Sequence, residues 1–158
     1  MHIRTSYSII FFCTLLMCEN QAPAQDRRLY LNPGLKLGYR FGPDGGTIGG
    51  FEVSLTRFSE DRGMSYGVFM SIEKYDRHGL FHLGLEFFPI PFIGFSAGPT
   101  ISLVKARKSG FAITGFGGFL LYPYFRRTFA GEESFSEIGS FLKIPFELER
   151  RRSAVIAD

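Results

Sequence analysis

The sequence predicts an all-β protein, an antiparallel meander of strands, and three observations carry that prediction. Thirteen residues, Leu29 to Phe41, alternate almost without fault: Leu29, Leu31, Pro33, Leu35, Leu37, Tyr39 and Phe41 against Tyr30, Asn32, Gly34, Lys36, Gly38 and Arg40. A period of two is the mark of an extended strand with one apolar and one polar face. The same alternation returns along the chain, and no stretch sustains a 3.6-residue period. Finally, the runs are separated by short segments rich in Gly, Pro and Asp, the chemistry of hairpin turns.

After the first run come Phe51, Val53 and Leu55, opposed by Gly50, Glu52, Ser54 and Thr56. Tyr66, Val68, Met70 and Ile72 then oppose Gly67, Phe69, Ser71 and Glu73, and Phe81, Leu83, Leu85 and Phe87 oppose His82, Gly84 and Glu86. Ile93, Phe95, Ala97, Ile101 and Leu103 follow, opposed by Gly94, Ser96, Gly98, Thr100 and Ser102. Phe111 to Phe129 is too long for one strand, and Gly117-Gly118 is the natural break. The last run sets Ile138, Leu142, Ile144, Phe146 and Leu148 against Gly139, Lys143, Glu147 and Glu149. Turns fall at 42–46, 59–63, 76–79, 88–91, 107–110 and 130–133, each about four to six residues. A three-residue loop at Pro43-Asp44-Gly45 would pair Gly42 with Gly46, set Lys36 opposite Glu52, and make Leu37 and Phe51 neighbours. Pro99 and Pro145 fall inside runs, where a missing N–H calls for a bulge.

Residues 1–24 stand apart as a secretory signal peptide. His2 and Arg4 precede the apolar run Ile9–Cys18, and Ala22-Pro23-Ala24 supplies the small-x-small cleavage pattern. Ten apolar residues are too few for a spanning helix, which needs about twenty. Cleavage after Ala24 starts the mature chain at Gln25. The competing reading makes Leu15-Leu16-Met17-Cys18 a lipoprotein signal with a lipidated Cys18. Both cysteines, Cys13 and Cys18, lie in this leader, so the expected mature protein has neither disulfide nor thiol chemistry. Residues 25–149 form the barrel domain and 150–158 a basic, disordered tail.

The polar face decides which side meets lipid. On a soluble sheet that face is rich in Lys and Glu. Here it is mostly Gly, Ser and Thr with a sparse set of both signs: Lys36, Arg40, Glu52, Glu73, Glu86 and Lys143. Small residues and pairable charges suit a narrow lumen. The other face is bulky, in a chain with 19 Phe and 7 Tyr. Strands of nine to eleven residues are also long enough to cross a bilayer when tilted. The net charge of +3 is mild and scattered, with none of the basic stripes of a nucleic-acid binder.

On this alternation the chain resembles the small outer-membrane β-barrel proteins of Gram-negative-type bacteria, the class that includes outer-membrane proteins A and X. The resemblance covers nearly the whole mature chain and rests on pattern, without a family motif. It implies an eight-stranded, closed, antiparallel up-and-down transmembrane barrel with both termini periplasmic, monomeric, placed in outer-membrane lipid by the barrel assembly machinery. Two features depart from the pattern. Seven runs are clear where eight strands are expected, and the chain ends without the terminal aromatic residue common in the class, leaving Phe146 or Leu148 to serve from inside.

Candidate chemistry concentrates on His82, Glu86, Glu73 and Ser71, which share the inward face. A symmetric turn at Asp76–Gly79 would set Glu73 directly across from His82, the arrangement that orients a general base, with Ser71 as a nucleophile on paper. Two-residue spacing gathers inward groups in any barrel, however, and no His-x-Ser motif accompanies them. These residues read as a lumen network, and no catalytic, cofactor or metal site is assigned. His78 sits in a turn and is about 13 Å along a strand from His82, too far for one ion. Gly45-Gly46 and Gly49-Gly50 lack the following helix of a phosphate loop. Tyr122, Pro123, Tyr124 and Phe125, followed by Arg126-Arg127, have the composition of an interfacial aromatic girdle with basic anchors.

The function expected is therefore a structural or envelope-interaction role without catalysis. Two alternatives from other classes are a soluble or lipid-anchored periplasmic barrel carrying an apolar ligand on an inward apolar face, and a membrane-embedded lipid-modifying enzyme.

Overall fold

A computed structural model describes residues 27–42, 45–59, 63–76, 78–103, 109–131 and 133–151. The expected leader and residues 152–158 of the expected tail lie outside them. The strands are β1 (Arg27–Phe41), β2 (Gly46–Ser59), β3 (Met64–Tyr75), β4 (His78–Ile90), β5 (Ile93–Ser102), β6 (Ser109–Gly117), β7 (Leu121–Ala130), β8 (Glu133–Lys143) and β9 (Phe146–Arg151). Every pairing is antiparallel, β1 to β8 each lie beside their sequence neighbours, and β1 pairs with β2, β8 and β9. The result is a closed, eight-stranded, up-and-down barrel.

Nine strands close an eight-stranded ring because the last stave is interrupted. β8 pairs with β1 over Gly34–Phe41 and β9 over Arg27–Leu31, with Ile144-Pro145 between them. Ile144 N–H still donates to Pro33 carbonyl oxygen at 3.0 Å. β9 runs to Arg151, two residues past the boundary drawn at Glu149. The break expected at Gly117-Gly118 is present, and Gly118 takes a φ of +148° as the chain leaves β6.

The bulges are elsewhere than the internal prolines predicted. Gly34↔Lys143 and Leu31↔Phe146 belong to one register, so Pro145 interrupts the ladder without shifting it. His82↔Thr100 and Leu85↔Ala97 likewise keep one register across Pro99. Proline's fixed φ fits extended backbone, so it costs a hydrogen bond and needs no inserted residue. The register shifts fall between Leu29 and Tyr30 and between Phe87 and Ile90, the second spanning Pro89.

Two hairpin registers also differ from expectation. Arg40 pairs with Gly46, Lys36 with Gly50 and Leu35 with Phe51, so Lys36 does not face Glu52 and Leu37 faces Gly49. The ladder's innermost pair is Arg40↔Gly46, where a three-residue loop would have paired Gly42 with Gly46. In the β3–β4 hairpin the ladder closes at Tyr75↔His78. Asp76 adopts φ +49°, the left-handed conformation Asp tolerates better than most residues, and the Tyr75 and His78 rings stack at 5.1 Å across the hairpin mouth. His78 consequently opens β4 rather than sitting in the turn. Ser71 faces His82, and Glu73 faces Leu80.

Burial is inverted relative to a soluble domain. Lys36, Arg40, Glu52, Glu73, Glu86 and Lys143 are all buried, whereas Leu37 is 68% exposed and Ile72 59%. Each of the six sparse charges lies on the inward face that alternation assigned it. An apolar-ligand carrier needs the opposite arrangement.

Candidate functional site

The lumen is built in three layers. At the end carrying the β1–β2, β3–β4 and β7–β8 turns lies a buried charge cluster centred on Glu73. Its Oε1 accepts from Lys36 Nζ at 2.6 Å, from Arg126 Nη1 at 2.7 Å and from the Ser71 hydroxyl at 3.1 Å. Its Oε2 lies 2.9 Å from Arg126 Nη1 and 3.3 Å from His82 Nε2. Arg126 Nε donates to Thr114 Oγ1 at 3.1 Å, and its Nη1 is 3.1 Å from His82 Nε2. One imidazole nitrogen therefore stands between a carboxylate and a guanidinium; it can donate to the first or accept from the second. Glu137 completes the cluster, taking Arg40 Nε at 3.0 Å and lying 3.5 Å from Arg126. The Arg40 guanidinium is itself sandwiched between the Tyr75 and Phe135 rings, 3.7 and 3.8 Å from their centroids.

An aromatic layer follows. Tyr124 stacks on Phe141 at 4.5 Å, and Phe116 meets Phe141 edge-on at 5.9 Å. Lys36 Nζ and Lys143 Nζ each lie 5.4 Å from the Phe141 centroid. The rings fit because small residues face them: a Cβ on Gly38 would stand 2.4 Å from the Tyr124 hydroxyl oxygen, and one on Gly94 2.3 Å from the Phe116 ring.

Below the rings, Lys143 Nζ bridges Glu52 Oε1 at 2.7 Å and Glu86 Oε2 at 2.9 Å. Of these three, Glu86 and Lys143 floor a cavity of about 300 Å³ that reaches Gly63 and Pro91, in the turns at the end where β1 begins. Asn32, Ser54 and Thr56 line one wall, and Phe88 and Tyr122 line another.

The structure thus brings together His82, Glu73 and Ser71, although through a diagonal rather than a facing pair, and sends Glu86 to a separate cluster. All four are buried, and the Ser71 hydroxyl is engaged by Glu73. The girdle reading of Tyr122–Arg127 is corrected: Tyr124 and Arg126 are buried in the lumen, Tyr122 lines the cavity, and Arg127 alone of the two arginines faces outward, donating to Ser136 Oγ at 2.7 Å. Arg126 and Glu137 went unrecognised as lumen residues. The signal was present, since Phe125, Arg127 and Phe129 fix the parity that turns Arg126 inward, and Gly139 does the same for Glu137.

No family model, no curated protein and no solved structure matches the chain.

Proposed function

We propose that the protein is a compact outer-membrane β-barrel with a structural or envelope-interaction role, inserted as a monomer after removal of a signal peptide. One observation carries this: a closed ring of eight staves, with paired charges inside and large apolar side chains outside. Closure satisfies the backbone internally, which hydrocarbon demands. The strands suit the task, since β1 to β8 range from nine residues to fifteen, against the roughly nine to eleven a tilted crossing needs. Buried, mutually paired Ser71, Glu73 and His82 favour a lumen network over a lipid-modifying site.

Cell fractionation tests the proposal. The protein is expected in the outer membrane, extractable only with detergent, and an unboiled sample in dodecyl sulfate is expected to migrate differently from a boiled one. Protein freely soluble in the periplasm would overturn it. N-terminal sequencing of the same material is expected to begin at Gln25. A blocked, diacylated Cys18 would replace the cleaved signal by a lipid anchor, and acyl release from lipid by the purified barrel would favour the enzyme.

A further inference from the structure

The cavity below the aromatic layer has features that packing alone does not require. Glu86 is 2% exposed, and while its Oε2 accepts from Lys143, its Oε1 has no hydrogen-bond partner. A buried carboxylate oxygen left unpaired is costly, and this carboxyl lines the cavity. Rotation about its terminal torsion, which is broad for Glu, is enough to offer Oε1 to a donor there.

The charge at the floor is also uneven. The four buried cations Lys36, Arg40, Arg126 and Lys143 balance the four buried carboxylates Glu52, Glu73, Glu86 and Glu137 over the described lumen. They are not distributed evenly. Three cations share Glu73 and Glu137 above the rings, whereas below them Lys143 stands alone between Glu52 and Glu86. Lys143 is thus shared between two carboxylates, and the one that lines the cavity, Glu86, is the one with an oxygen that lacks a donor.

The walls define the rest of a ligand. Asn32 Nδ2 donates to Ser54 Oγ at 3.3 Å and to Thr56 Oγ1 at 2.9 Å. Both hydroxyls are thereby used as acceptors, which leaves their own protons, and the Asn32 carbonyl oxygen, for a guest with hydroxyl groups. Facing partners come from β4 and β7, where Phe88 and Tyr122 present aromatic rings, with centroids 6.4 Å apart. Aromatic faces attract a cation and tolerate the carbon face of a compact guest. A volume of about 300 Å³ sits at the small end of ligand pockets.

The geometry points to a binding site for a small hydroxylated organic ammonium, of amino-sugar size, with its ammonium group on Glu86 and its hydroxyls on Asn32, Ser54 and Thr56. The site belongs to the lumen of the barrel and does not depend on which membrane, if any, surrounds it.

Glucosamine and glucose are the probes, titrated by calorimetry and by amide NMR into the whole barrel folded in detergent micelles. Glucosamine is expected to bind with shifts confined to the residues that line the cavity, and glucose, which lacks the ammonium, at least about tenfold more weakly, the usual worth of a charged hydrogen bond. Glu86→Gln removes the carboxylate charge while Lys143 keeps Glu52, and is expected to lower glucosamine affinity about tenfold or more on the same basis. Equal binding of the two sugars, unchanged affinity in folded Glu86→Gln, or no binding of glucosamine at millimolar concentration would each overturn the inference. Should Glu86→Gln fail to fold, Ser65→Trp, which fills the cavity beside Gly63, decides the matter: loss of binding supports the site, and retained binding overturns it. Heat-modified migration of the unliganded barrel reports folding separately from ligand binding.

Discussion

Glu73 is buried and holds four neighbours at once, Lys36, Arg126, Ser71 and His82. Removing one partner of a buried charge set strands the others, at a cost of about 3–5 kcal/mol. Glu73→Gln is accordingly expected to destabilise the barrel by about that amount in urea titrations of lipid-reconstituted protein. Lys36→Met combined with Glu73→Gln is expected to recover a substantial part of the loss, giving a coupling above about 1 kcal/mol. Lys36→Met with Glu52→Gln supplies the contrast, because Glu52 is paired with Lys143; those two changes are expected to add to within about 0.5 kcal/mol. Coupling of Lys36 to Glu52 instead would mean the β1–β2 register starts from Gly42. At this scale the sequence was half legible. Parity gave the inward direction of Lys36, Glu73 and Glu86, since a period of two is indifferent to register. It could not name partners, which come from different staves and depend on how far each strand is slid. Arg126 was hidden for another reason: its neighbour Arg127 faces outward, and a dibasic pair next to tyrosines has the composition of a membrane anchor.

Among the strands, closeness of approach is set by glycines on the inner face. A Cβ at Gly38 would meet the Tyr124 hydroxyl and also the Ile138 carbonyl oxygen at 2.7 Å, whereas one at Gly46 meets nothing within 4 Å. Gly38→Ala is expected to cost about 1–3 kcal/mol, the range for overpacking. Gly46→Ala, on the neighbouring strand, is expected to be near neutral. Matching urea midpoints for the two variants would contradict the packing of Tyr124 against β1. Strand existence was legible because alternation persists through the prolines. Turn geometry was not, because it rests on single backbone conformations such as that of Asp76, beside which Tyr75 and His78 stack and the β3–β4 register is two residues from the expected one. The eighth stave escaped a simple count for two reasons: Gly117-Gly118 divides one long apolar segment, and Ile144-Pro145 divides one continuous strand.

For the molecule as a whole, the charges cancel inside and the apolar side chains form the outer surface, an arrangement that is costly in water and favourable in hydrocarbon. Leu37, at 68% exposure on the outer face, is expected to tolerate no cation in lipid: Leu37→Arg costs about 2–4 kcal/mol near the midplane and little in a soluble barrel. The orientation of the two faces can be read most directly with single cysteines, since the expected mature segment has none. Cysteines at the outward positions Leu37, Leu83, Ile113 and Ile138, and at the buried positions Thr128 and Thr114, would be placed in barrels folded into lipid vesicles and exposed to a thiol-reactive fluorophore. A membrane barrel with a packed lumen predicts that the four outward sites label before folding into lipid and are then quenched by spin-labelled acyl chains, while Thr128 and Thr114 resist labelling once folded. Outward sites quenched only by a water-soluble agent, or inward sites quenched by lipid, would contradict it.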